Sequence, residues 1–135
     1  AALEATLLEH VSGRAAATVP VAAMIAMSRA QVAARARALA GRVGRVTGLT
    51  TSVADGASTI GGGSAPGSAL PTALLALTLA GCSADDLLAR LRALPTPVIA
   101  RIEDDRVVLD LRTVRPDEDE ELAGLIAAVA ATTTT

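Results

Sequence analysis

The residue types best suited to ligand chemistry lie in three places. One is the run Ser58-Thr59-Ile60-Gly61-Gly62-Gly63-Ser64-Ala65-Pro66-Gly67, where consecutive glycines let main-chain amides approach a ligand closely and point the same way. Such a run could cradle an anion. It lacks the lysine of a Walker loop, and the spacing and following helix of a dinucleotide fingerprint. A plain connector and a ligand-facing loop therefore both stay open. The second place is Arg101, mid-strand, whose side chain lies diagonally from Asp110 in the hairpin described below. An ion pair with Asp110 is one reading. A guanidinium fork gripping a carboxylate or phosphate, a geometry that arginine supplies and lysine does not, is the other. The third is the acidic run from Asp117 to Glu121. Five consecutive acids on a helix cannot face one point, and a helix start favours negative charge, so a solvated helix start is expected rather than a metal site. His10 has no nucleophile at diagnostic spacing and reads as a surface histidine. Cys82, the one cysteine, has no Cys or His at metal-ligand spacing and reads as a small apolar residue, in keeping with a reducing compartment. No nucleophile and base pair emerges, so no residue is assigned as catalytic and none as a metal ligand.

These residues need elements to hold them. Leu3, Leu7 and Val11 recur every fourth residue and define one face of a lead-in helix over residues 1–13, stopped by Gly13. After an extended Val19-Pro20, residues 21–27 read as a short apolar turn. Ser28 and Gln31 form a capping box for a helix to about Ala40, with Val32, Ala36, Leu39 and Val43 buried and Arg35, Arg37 and Arg42 towards water. Residues 45–54 read as a strand and residues 55–67, with five glycines and a proline, as a loop. Residues 74–79 read as a buried strand. Ser83 caps a helix carrying Asp85 and Asp86 at its start and Arg90 and Arg92 at its end, with Leu87, Leu88, Leu91 and Leu94 as its core face. Residues 98–102 and 106–111 form a hairpin; pairing Glu103 with Arg106 sets Ile102 opposite Val107 and Ala100 opposite Leu109. Asp117 with Glu120 as box partner starts a last helix with the stripe Leu122, Leu125, Ile126 and Val129, and residues 132–135 read as a frayed tail. The order implies an α+β fold in which a small antiparallel sheet of about four strands is covered by helices on one face, one domain over residues 1–135.

Composition narrows the function. The chain has no Phe, Tyr or Trp, so a 51% apolar sequence must build its core from aliphatic side chains. A net charge of −2 and the absence of rings for stacking bases argue against nucleic-acid binding by these residues. The longest apolar segment, residues 70–82, falls short of the roughly 20 residues of a membrane helix. A soluble protein is expected, with no membrane partner. All twelve basic residues are arginines, and there is no lysine.

Three segments, in matching order and spacing, resemble bacterial selenocysteine synthase, the L-seryl-tRNA(Sec) selenium transferase: Ala2-Leu3-Glu4-Ala5-Thr6-Leu7, the glycine run above, and Pro97-Val98-Ile99-Ala100-Arg101-Ile102-Glu103-Asp104-Asp105-Arg106-Val107-Val108-Leu109-Asp110-Leu111-Arg112-Thr113-Val114. The resemblance implies the C-terminal small domain of a fold-type-I pyridoxal-phosphate enzyme. That cytoplasmic, homo-oligomeric enzyme converts serine on the selenocysteine tRNA into selenocysteine, with selenophosphate as donor. It further implies that the cofactor lysine and the basic residues for selenophosphate lie before Ala1, so that residues 1–135 alone hold no pyridoxal phosphate and are inactive. Arg101, Gly61, Gly62, Gly63 and Ser64 become the candidate substrate contacts. Two alternatives stand beside this: the small domain of a related pyridoxal-phosphate lyase or aminotransferase, in which Arg101 would take a free carboxylate, and a non-catalytic protein-interaction module. Apolar surface that a large domain normally covers predicts self-association of the piece alone.

Overall fold

The computed structural model describes residues 1–61 and 67–132. Within them the elements follow as α1 (Ala2–Val11), α2 (Ala15–Thr18), α3 (Pro20–Ala26), α4 (Arg29–Val43), β1 (Leu49–Thr59), β2 (Ala69–Leu79), α5 (Ala84–Arg92), β3 (Arg101–Glu103), β4 (Arg106–Asp110) and α6 (Asp119–Ala131). Two 3₁₀ turns, Leu111–Thr113 and Pro116–Glu118, join β4 to α6. The strands make one antiparallel sheet in the order β1-β2-β4-β3. Helices α4 and α5 pack on one of its faces, and α6 packs against both of them. This is the α+β architecture the sequence implies.

Strand β2 is central and explains the core. Its odd residues Ala73, Leu75, Leu77 and Leu79 face the helices, as the period of two demands, and join Val107 and Leu109 of β4 in one aliphatic cluster. The helices contribute Val32, Ala36, Leu39 and Val43 from α4, Leu87 and Leu91 from α5, and Leu122, Ile126 and Val129 from α6. Every stripe residue expected of α4 is buried, and its Ser28–Gln31 capping box is present. Ser83 caps α5 by accepting from the Asp86 amide. Leu88 of α5, Leu94 just beyond its end and Leu125 of α6 are only partly buried. With each fully buried leucine contributing about 1.5–3 kcal/mol, this aliphatic layer carries the fold without aromatic rings. On the opposite face Leu74, Ala76 and Val108 form a second, smaller cluster.

The β3–β4 register is the expected one, with Arg101 opposite Val108, Ile102 opposite Val107 and Glu103 opposite Arg106. Asp104 and Asp105 make the turn with φ of 49° and 57°, both left-handed as a two-residue type I′ turn requires. The ladder stops at Arg101, so Ala100 and Leu109 are not a ladder pair.

Four expectations are corrected. Residues 55–59 are strand, not loop, because they pair with residues 69–73, and the ladder bonds outweigh weak strand propensity. Gly56 has a reason within that strand: a Cβ there would lie 2.5 Å from Leu74 Cδ1. Pro71 is accepted in β2 because β4 pairs only from Leu74 onward, leaving no ladder bond for the missing N–H to make on that side. Residues 20–26 form helix α3 rather than a turn, since Pro20 occupies its first turn, where an amide is not needed. The last helix starts at Asp119 and not at Asp117, whose carboxylate instead takes the Arg115 guanidinium. The fourth correction concerns Arg35 and Asp119, which do not face water. Arg35 donates to both Asp119 carboxylate oxygens, at 3.1 and 2.6 Å, and to the Leu111 and Val114 carbonyls, at 2.7 and 3.0 Å. Of the expected tail, Thr132 closes α6 through the Ala128 carbonyl, and residues 133–135 lie outside the described residues.

The helices before α4 differ from the rest. Ala15 is the one buried residue of α1, α2 and α3. Leu3, Leu7, Leu8 and Val11 of α1 and Val21 and Ile25 of α3 are exposed. Glu9 ties α1 to α2 by accepting from Arg14 Nη2 at 2.8 Å and from the Thr18 hydroxyl at 2.8 Å. The Arg14 bond, then the Thr18 bond, holds the Glu9 carboxyl below its ordinary value.

Removing the Asp119 carboxylate leaves the mostly buried Arg35 uncompensated. Asp119→Ala is expected to lower stability by about 3 kcal/mol, read from urea unfolding. For Glu9 the folded pKa is the lower one. Its tie is fully present above the ordinary carboxylate range and is lost as pH falls through the depressed value. Amide protection factors at residues 14–18, each taken against the intrinsic exchange rate at the same pH, are therefore expected to fall on acidification below that range, and a Glu9→Gln variant should lose this response.

Candidate functional site

Arg101 sits on the edge strand β3, which places its side chain on the sheet face away from the helix layer, with Val108 opposite it. Its side chain is 43% exposed. Nε donates to Glu103 Oε1 at 2.6 Å, and Nη2 reaches the Ala57 carbonyl of β1 at 3.4 Å. The expected ion pair with Asp110 is not formed. Glu103, two residues along the same strand, projects from the same face and is the nearer carboxylate, while Asp110 is taken by other groups. Nη1 of Arg101 makes no hydrogen bond among the described residues. An exposed guanidinium with one free edge, held by a surface pair that contributes little, can exchange Glu103 for an anionic ligand.

The Ala57 contact links Arg101 to the strand that leads into the glycine run. Gly61 follows β1 and is exposed. Gly62, Gly63 and Ser64 lie outside the described residues. So Arg101 and the approach to Gly61 share one end of the sheet, and the remaining candidates are not placed.

A second polar cluster escaped the sequence reading. Arg112, 4% exposed, donates from Nε to Ser58 Oγ at 3.0 Å, from Nη1 to the Met24 carbonyl at 2.9 Å and to the Met27 carbonyl, and from Nη2 to the Pro71 carbonyl at 2.9 Å. The Ser58 hydroxyl in turn donates to Asp110 Oδ2. Thr72 Oγ1 and the Arg112 amide donate to Asp110 Oδ1, at 3.1 and 3.0 Å. The signal was present: an arginine directly after the buried Leu109 and Leu111 can itself be buried only with several acceptors around it.

The remaining sequence candidates stay apart from both clusters. His10 is exposed on α1, and Cys82 is half-buried beside the core. Among the described residues no group of three His, Cys, Asp or Glu could hold a metal ion, and no helix is long and apolar enough to cross a membrane. A pyridoxal-phosphate Schiff base needs a lysine amine. The sequence contains no lysine, so these residues do not fit that cofactor by themselves.

Fold and site together define a small α+β domain with an exposed arginine on its edge strand and a buried arginine network. The family model for L-seryl-tRNA selenium transferase matches residues 1–115. The chain is 43% identical over 132 residues to the L-seryl-tRNA(Sec) selenium transferase of Solidesulfovibrio magneticus, covering 94% of this chain and 28% of that protein. It is 36% identical over 133 residues to the enzyme of that name from Geobacter metallireducens, covering 96% and 29%. With that of Desulfomicrobium baculatum it shares 40% over 134 residues, 97% of this chain and 29% of the relative. The chain belongs to the L-seryl-tRNA selenium transferase family, and it spans less than a third of the length of these curated relatives.

Because the Arg101–Glu103 pair is exposed, Arg101→Ala is expected to change stability by no more than about 0.5 kcal/mol in thermal or urea unfolding. A larger loss would make Arg101 a structural residue.

Proposed function

We propose that these residues form the small domain of a pyridoxal-phosphate-dependent selenium transferase, which converts serine carried on the selenocysteine tRNA into selenocysteine with selenophosphate as donor. The family match across residues 1–115 carries this reading. The cofactor lysine belongs, on this reading, to the part of the whole protein that the relatives have and this chain does not span, which accords with a sequence free of lysine. The chemistry of carbanion stabilisation is the cofactor's own.

What these residues offer is binding and orientation. Arg101 presents the free edge of its guanidinium to an anionic group of the substrate: a phosphate of the tRNA end or the selenophosphate. The glycine run, Gly61 with Gly62, Gly63 and Ser64, faces the same ligand with main-chain amides. The tRNA body is gripped elsewhere in the whole protein, since the net charge of this chain is −2. The exposed apolar residues of α1 and α3 are covered in the whole homo-oligomeric enzyme, and without that cover they bring copies together. The cytoplasm, where charged tRNA is made and used, is the working compartment.

The test uses the full-length protein. It should bind pyridoxal phosphate, seen as an absorbance band, and move selenium onto seryl-tRNA. Arg101→Ala should keep the band and lose about tenfold to a hundredfold in selenium transfer, the value of one hydrogen bond to a charged group. Absence of both band and transfer would leave a protein-interaction module. Full transfer by the variant would remove Arg101 from substrate handling.

A further inference from the structure

The buried arginine network joins parts of the chain that little else joins. Helices α1–α3 form an arm with a single buried residue, Ala15, so apolar burial fixes the arm only weakly to the sheet. A cavity of about 250 Å³, lined by Val19, Ala23, Met24, Met27, Arg112 and Pro116 among others, lies between α2, α3 and residues 112–117. Across this gap the Arg112 guanidinium takes the carbonyls of Met24, in the last turn of α3, and of Met27, which follows it. Its other edge holds the Ser58 hydroxyl of β1 and the Pro71 carbonyl of β2. Asp110 orients Ser58 and supplies the counter-charge through that hydroxyl.

A guanidinium is rigid and planar, so acceptors on its two edges cannot shift independently. We propose that Arg112 is a mechanical coupling between the α1–α3 arm and the outer end of the β1–β2 hairpin, so that movement at either is felt at the other. The arm carries the exposed Leu3, Leu7, Leu8 and Val11. Whatever settles on that face therefore acts on Ser58 and Pro71 through one side chain. The inference rests on this geometry alone and stands or falls separately from the proposed reaction.

Amide hydrogen exchange of the whole protein tests it, with Arg112→Lys and Ser58→Ala beside the unaltered chain. Lysine keeps the charge but cannot hold the two edges together. Arg112→Lys is expected to speed exchange about tenfold at residues 23–27 and at residues 57–59, while residues 29–43 and 73–79 stay within about twofold. Ser58→Ala removes no contact with α3, yet the coupling requires faster exchange in residues 23–27 as well. That distant response is the reading a merely local role would not give. Unchanged exchange at residues 23–27 in Arg112→Lys would overturn the coupling, as would a uniform rise across residues 29–43 and 73–79. A Ser58→Ala effect confined to β1 would overturn it too. Should Arg112→Lys fail to fold, Ser58→Ala alone decides.

Discussion

The grip of Arg35 on Asp119 and on two carbonyls is the constraint from which the layered arrangement follows. After β4 the chain leaves the sheet through two 3₁₀ turns, and irregular backbone at such depth leaves carbonyls that neither sheet nor helix can satisfy. Arg35, reaching across from α4, donates to Leu111 and Val114 there and holds Asp119 at the first residue of α6. One side chain thus ties α4 to both the exit from the sheet and the start of the last helix. With α4 packed on β2 and α6 packed on α4, that tie fixes how far the helix layer can slide over the sheet. An aliphatic core without aromatic rings tolerates sliding more readily than an interlocked one, because its contacts are small and similar. The directional bonds of Arg35 remove that freedom.

Arg112 does for the other side of the sheet what Arg35 does for the helices. Each is largely buried: Arg35 divides its bonds between two main-chain carbonyls and the Asp119 carboxylate, while Arg112 takes three carbonyls and reaches Asp110 through Ser58. Lysine could serve neither place. An ammonium presents three donors from one point, whereas these acceptors lie on two edges of a plane. Geometry accounts for arginine at these two positions. The exposed Arg101 differs in kind: its bonds are few and replaceable.

Local patterns made much of the fold legible. Ser28–Gln31, the stripe of α4, the Ser83 cap and the β3–β4 register all depend on residues within a few positions of each other, where periodicity and turn chemistry speak plainly. What escaped depends on partners far away in sequence. Arg35 looked like one of three arginines on a wet face, because Asp119 is 84 residues distant. The stretch 55–59 looked like loop because its glycine and small residues are poor strand formers alone. Only the pairing with residues 69–73, and the press of Leu74 against Gly56, explains them.

The candidate site was half legible for the same reason. Arg101 could be placed on its strand and face from alternation, yet the register pointed to Asp110 as its ion-pair partner where the structure has Glu103. Ser58 and Thr72 decide the choice: their hydroxyls, with the Arg112 amide, occupy Asp110, and Arg101 is left with the exposed Glu103. The division has a chemical consequence. A carboxylate engaged by several donors is a poor partner to displace, whereas an exposed one exchanges readily with an incoming anion. The buried network therefore does more than brace the hairpin; by withholding Asp110 it keeps Arg101 available.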